Sequence, residues 1–227
     1  STLRTQNYGT ATNAYNTAVG MFAGYAVTTG VQNTLIGAFA GDAITTADES
    51  VAIGYLALSA NTTADDNTAI GSHALTANTT GRINTAVGKG SMAANTTGQD
   101  NAAFGGLTLD ANTTGTGNTA LGYASLSSNT TADNNTAVGY LAGTAVTTGA
   151  SNTFMGASSG DAVTTGAQNT FVGQASGTAV TTGDNNVAIG YIALASATTA
   201  ADNVIVGKQA GFNITDSQYN VGIGNNA

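Results

Sequence analysis

The chain has 227 residues, with 31 Gly, no Pro, no Cys and no Trp, and only 7% of its residues are charged. The missing cysteines exclude disulfide staples and thiolate chemistry. Four basic residues against twelve acidic ones, a net charge of −8, argue against a nucleic-acid partner, and no stretch reaches the roughly 18 apolar residues of a membrane span.

Residues 1–15 come first and fit the later pattern poorly, so they read as a degenerate coil or a junction. From there the chain is periodic. Gly20, Gly37, Gly54, Gly71, Gly88, Gly105, Gly122, Gly139, Gly156, Gly173, Gly190, Gly207 and Gly224 stand 17 residues apart without a slip. Such a register belongs to a solenoid, in which each repeat stacks on the last in one shape. With Asn16 as position 1, twelve full coils cover 16–219, and a truncated thirteenth covers 220–227. The chain starts at Ser1 without Met and stops within a coil, so it reads as a segment of something longer. Nothing in it resembles a signal peptide.

Each coil opens with its most regular stretch. Position 1 is Asn in every coil except at Ser50, and position 2 is Thr or Val apart from Ala102. Position 4 is always apolar, from Val19 to Ile223. The alternation predicts a short strand with positions 2 and 4 facing the core. The Asn column, including Asn67, Asn84, Asn101, Asn118 and Asn135, predicts an amide ladder along the stack. The unvarying glycine at position 5, as at Gly71, Gly88, Gly105, Gly122 and Gly139, requires either φ > 0 or an approach too close for a Cβ. Leu35, Phe154, Phe171 and Ile205 replace the usual Ala at position 3, and Tyr55, Tyr123, Tyr140 and Tyr191 stand at position 6. These departures are expected at contacts: packing between chains for the first group, a seam or an exposed surface for the tyrosines.

Positions 9 and 12 exchange bulk. Where position 9 is Gly, as at Gly143, position 12 is Val or Ile, as at Val146; where position 9 is Leu or Met, as at Leu75, position 12 is Asn or Ala, as at Asn78. One account is a single pocket per coil filled from either side. The other is duplication of two repeat subtypes.

Position 13 is always Thr, as at Thr79, Thr96, Thr113, Thr130 and Thr147, and position 14 is Thr except at Asp216. These columns predict a second short strand and a second turn. Eight acids, among them Asp48, Glu49, Asp65 and Asp66, fall at positions 16 or 17. They read as a solvated edge that discourages unwanted strand pairing. Asp65 and Asp66 are the candidates for a divalent cation, although the glycine-rich nonapeptide of calcium-binding rolls is missing.

No constellation for catalysis emerges. His73, the only histidine, sits at a permissive column whose other residues include Leu, Phe, Ala and Ser, and it has no nitrogen or sulfur partners for zinc. Gly88-Lys89-Gly90 lacks the spacing and the Ser or Thr of a phosphate loop. The Asn-Thr-Thr triplets at Asn61, Asn78, Asn95, Asn112 and Asn129 match a glycosylation sequon, and repetition accounts for them. The expectation is a non-enzyme without cofactors. Regular Thr columns also raise ice binding, but adjacent residues on a strand point to opposite faces, so only one column faces out unless a turn intervenes.

The segments ESVAIGYLAL, NNVAIGYIAL, DNTAIGSHAL and NTAVGYLAG resemble the head repeats of trimeric autotransporter adhesins, the YadA-like head, and the related 17-residue repeats of phage tail-fibre and bacterial surface proteins. The resemblance covers 16–227. It implies an all-β, left-handed parallel β-solenoid arranged as a side-by-side homotrimer. It also implies attachment at a cell surface or virion, with the chain itself and a host-surface receptor or glycan as partners. The chain departs from the adhesin head in its longer period and in lacking neck, stalk and anchor. The alternatives are an ice-binding solenoid or a subunit of another extracellular filament.

Overall fold

A computed structural model describes residues 2–3 and 13–227 of the chain. Most of the expected junction at 1–15 therefore lies outside the described residues. The chain divides into two compact units, one running to Gly115 and one spanning Thr116–Ala227. The first holds β1 (Thr17–Val19), β2 (Thr34–Ile36), β3 (Val51–Ile53), β4 (Thr68–Ile70), β5 (Thr85–Val87) and β6 (Ala102–Phe104). The second holds β7 (Thr119–Leu121), β8 (Thr136–Val138), β9 (Thr153–Met155), β10 (Thr170–Val172), β11 (Val187–Ile189), β12 (Val204–Val206) and β13 (Val221–Ile223). Within each unit, successive strands pair in parallel and in chain order, as in Thr68↔Thr85 and Thr153↔Thr170. Each unit is thus a parallel β-solenoid whose coils advance in the 17-residue register.

Each coil has one strand of three residues, and the expected second strand is absent. Positions 12–15 form a bend. The coil keeps its inter-coil hydrogen bonds there all the same: Thr79 N–H donates to Thr96 O at 2.9 Å, and Thr80 N–H donates to the same oxygen at 3.2 Å. Two tight turns bridge strand and bend. In the second coil, Ala40 N–H donates to Gly37 O at 3.3 Å and Ile44 N–H to Gly41 O at 3.2 Å.

The strand faces the opposite way from the sequence expectation. Position 3 points inward: Ala52, Ala69, Ala86, Ala103, Ala120 and Ala137 are fully buried. Positions 2 and 4 look outward. Val19, Ile36, Phe104, Leu121, Met155 and Ile189 are exposed apolar residues at position 4. Where position 9 fills the interior, the inner side of the strand has room for little more than a methyl group, so the larger apolar column is the one left outside. Leu35, Phe154, Phe171 and Ile205, expected at contacts between chains, are instead fully buried inside their own coils.

The rest of the interior comes from position 9. Leu58, Leu75, Met92, Leu109, Leu126 and Leu194 are fully buried, and each has a left-handed backbone, for example φ +50° at Leu75. Positions 7 and 17 share that conformation, from Phe22 (φ +58°) to Tyr219 (φ +60°). Such residues are strained by about 1–3 kcal/mol each and persist only where the surroundings over-determine them. Here the neighbouring coils do so: Leu75 N–H donates to Ser91 O at 3.0 Å and His73 N–H to Tyr55 O at 2.9 Å.

Where position 9 is Gly, its space is filled from position 3. A Cβ built on Gly41 would stand 2.7 Å from Leu35 Cδ2 and 2.8 Å from Ile44 Cδ1. One on Gly143 would stand 2.6 Å from Phe154 Cδ2 and 3.0 Å from Leu126 Cδ2. The exchange between positions 9 and 12 is therefore one side of a three-way exchange in which position 3 of the same or the next coil takes part.

Candidate functional site

Within each unit the predicted ladder residues come together along the stack. Asn84 Nδ2 donates to Gly98 O at 2.8 Å, pinning position 1 to position 15 of its own coil. Asn84 Oδ1 accepts from Asn101 N–H at 3.2 Å and from Asn101 Nδ2 at 3.1 Å, pinning one coil to the next. Asn67 Oδ1 accepts from Asn84 N–H in the same way, and Asn118 Oδ1 from Asn135 N–H. All five predicted rungs are buried. The Thr column at position 13 adds hydroxyl rungs: Thr79 Oγ1 donates to Thr96 O and Thr96 Oγ1 to Thr113 O, both at 3.0 Å, and Thr130 and Thr147 donate to Thr147 O and Thr164 O.

Both reasons for the position-5 glycine hold at once. Gly71 has φ +135°, and a Cβ there would lie 2.5 Å from Gly88 O of the next coil. Gly88, Gly105, Gly122 and Gly139 share the conformation.

The position-12 asparagines, read from the sequence as tied into the coil, form a second amide column. Asn95 Nδ2 donates to Asn78 Oδ1 at 2.9 Å, and Asn112 Nδ2 to Asn95 Oδ1 at 2.8 Å. These sequon asparagines are fully buried, so their side chains are engaged within the coil. Their visible signal was restriction to the coils with Leu or Met at position 9.

The acids have structural partners as well. Asp48 Oδ1 accepts from Val31 N–H at 2.8 Å, Asp133 Oδ1 from Thr116 N–H and Asp184 Oδ1 from Ala167 N–H, both at 2.7 Å. The position-16 carboxylate thus caps a backbone N–H of the preceding coil. Asp65 Oδ1 accepts from Asp48 N–H at 3.0 Å, while its Oδ2 meets Arg82 Nη2 at 2.8 Å. Arg82 also stands 3.8 Å from Asp66 Oδ2. The two candidate cation ligands thus share an arginine. Among the described residues, no group of three or more His, Cys, Asp or Glu lies together to hold a metal ion.

Position 10 holds a smaller acid set. Asp161 Oδ1 accepts from Thr178 Oγ1 of the next coil at 2.5 Å. Asp42 and Asp110 each bury one carboxyl oxygen without a hydrogen-bond partner. Burial pushes both carboxyls above the ordinary range, against the pull of backbone N–H groups. Other side chains form an outward relief. Phe22 stacks on Phe39 with centroids 5.4 Å apart, Phe39 meets Tyr55 edge-on, and Tyr55 meets His73 edge-on. The His73 ring is engaged with Ser72 Oγ at 2.8 Å. Tyr55, Tyr123, Tyr140 and Tyr191 are exposed.

Within each unit the arrangement is one of ladders and faces: amide rungs inside, apolar residues at position 4 on the open side of the strands, and hydroxyl-bonded threonines at the bend. Threonines at both position 13 and position 14 reach the surface, as at Thr79 and Thr80, because the bend removes the strand alternation that was to turn one of them inward. Comparison with family models, with curated proteins and with solved structures returns no match.

Proposed function

We propose that the chain is a structural fibre segment that assembles side by side as a homotrimer and projects or forms an attachment surface on a cell or virion. The observation that carries this reading is the outward position 4 of the strands within each unit, with Ile36 and Phe104 exposed in the first and Leu121, Met155 and Ile189 in the second. Large apolar residues exposed at a repeating position mark an interaction site, and identical faces on identical chains close naturally around a rotation axis. The resemblance to YadA-like heads and to tail-fibre repeats points to the same assembly. The role is mechanical: many weak contacts add along a repetitive surface. Light scattering on the native chain should give three times the monomer mass, and Leu121→Lys with Met155→Lys should lower it. A stable monomer would overturn the assembly.

A second reading, ice binding, is favoured by the paired threonines, since both columns are outward at the bend. It predicts thermal hysteresis or crystal shaping by a monomer. A native trimer without either activity removes it.

A further inference from the structure

Tyr123 and Tyr140 occupy position 6 of adjacent coils in the second unit. Their rings are stacked, with centroids 5.9 Å apart and planes inclined by 16°, and they are 51% and 56% exposed. This pair is well placed for oxidative coupling. The rings lie nearly parallel, both are open to solvent, and the coil register holds them side by side, so a bimolecular encounter becomes an intramolecular one.

The coils that carry the pair meet at a change of core. The coil of Tyr123 fills its interior with Leu126 at position 9, whereas the coil of Tyr140 has Gly143 there and Ala137 at position 3. The space at Gly143 is filled by Leu126 from one side and Phe154 from the other. The coil of Tyr140 thus contributes Val146 and takes the rest of its filling from neighbouring coils, and a covalent bond at this step would fasten it to one of them.

We infer that Tyr123 and Tyr140 form an oxidative modification site, at which a haem peroxidase with hydrogen peroxide joins them as dityrosine. Each phenol gives up one electron and one proton to the oxidant. A carbon–carbon bond forms between the ring carbons ortho to the two hydroxyls, and the hydrogen on each coupled carbon moves to its oxygen and restores the phenol. One hydrogen peroxide is reduced to two waters, and the chain loses two hydrogens. The bond lies within one chain and does not depend on the trimer.

The test treats the native chain with horseradish peroxidase and hydrogen peroxide, then reads dityrosine fluorescence and denatured mass. The expected result is dityrosine at monomer mass with a loss of two hydrogens, located by peptide mapping at residues 123 and 140. Tyr123→Phe and Tyr140→Phe should each abolish that signal while leaving circular dichroism unchanged, because phenylalanine keeps the stacked ring. Tyr191→Phe should leave the signal intact. Three outcomes would overturn the proposal: undiminished monomer-mass dityrosine in either 123 or 140 variant, coupling only at dimer mass, or no dityrosine at all.

Discussion

The coils around Leu75 and those around Phe154 solve the same packing problem in opposite ways. In the first unit, Leu58, Leu75, Met92 and Leu109 fill the interior from position 9, and buried Asn61, Asn78, Asn95 and Asn112 stand at position 12. In the second unit, Phe154 and Phe171 fill it from the strand, with their rings 5.7 Å apart, while Gly160 and Gly177 leave the space and Val163 and Val180 close it. The backbone barely differs: φ is +50° at Leu75 and +59° at Gly160. The leucine solution accepts left-handed strain on a bulky residue and adds an amide ladder. The glycine solution relieves that strain and depends on one large side chain from elsewhere. The lesson is that the coil conserves a filled volume, not a residue.

Breaking the backbone shared by both regions should have the largest effect. Gly71→Val puts a branched side chain where even a Cβ would meet Gly88 O at 2.5 Å, on a backbone with φ +135°. A loss beyond about 4–5 kcal/mol is expected, read as insoluble protein or loss of the urea transition.

Core truncation separates the two regions. Phe154→Ala opens the space beside both Gly143 and Gly160 and should destabilise by about 3–5 kcal/mol in urea titration. Leu75→Ala removes a smaller buried side chain and should lie toward the lower end of the roughly 2–5 kcal/mol range. Equal losses would mean that the space beside Gly143 and Gly160 closes when the phenylalanine is removed.

Removing one amide rung should have a smaller effect. Asn84→Ala removes the side-chain acceptor of Asn101 N–H and one of two partners each of Gly98 O, which keeps Asn95 Nδ2, and Asn101 Nδ2, which keeps Gly115 O, a loss of about 1–3 kcal/mol. Hydrogen exchange at the Asn101 amide should quicken with it.

The smallest effect depends on pH. Burial raises the Asp42 carboxyl pKa in the fold, so the folded chain holds that proton more tightly than the unfolded one. The stabilising contribution is therefore present at acid pH and is lost as pH rises through the carboxylate range. Asp42→Asn should raise the melting temperature at pH 7, change it little at acid pH, and flatten the slope between.

The stacking register, the Asn rungs and the position-5 glycines were legible because each repeats in a fixed column. The direction of the strand was not. Period-2 apolar alternation marks the buried face in a thick domain, but a coil lined by Ala69 and Ala86 has no room for Ile70 and Val87 on that side. A signal was present: Leu35, Phe154, Phe171 and Ile205 occur only in coils with Gly at position 9, a complementarity that side chains in one interior would show. The second strand failed for another reason. Thr columns favour extended backbone, but here the hydroxyl of Thr79 bonds to the Thr96 carbonyl and holds a bend in place. The acids read as a solvated edge because no sequence pattern reports that Asp48 accepts from the Val31 amide.

The central claim, one filled volume per coil shared among positions 3, 9 and 12, is tested most directly by a double-mutant cycle at Gly143 and Phe154. Gly143→Leu alone places a side chain where Phe154 Cδ2 and Leu126 Cδ2 would lie 2.6 Å and 3.0 Å from its Cβ, and should destabilise. Adding Phe154→Ala should recover part of that loss, with a coupling of about 0.5–3 kcal/mol, whereas adding Val146→Asn should recover less. A Gly143→Leu, Phe154→Ala double variant as unstable as the sum of its singles would contradict the account.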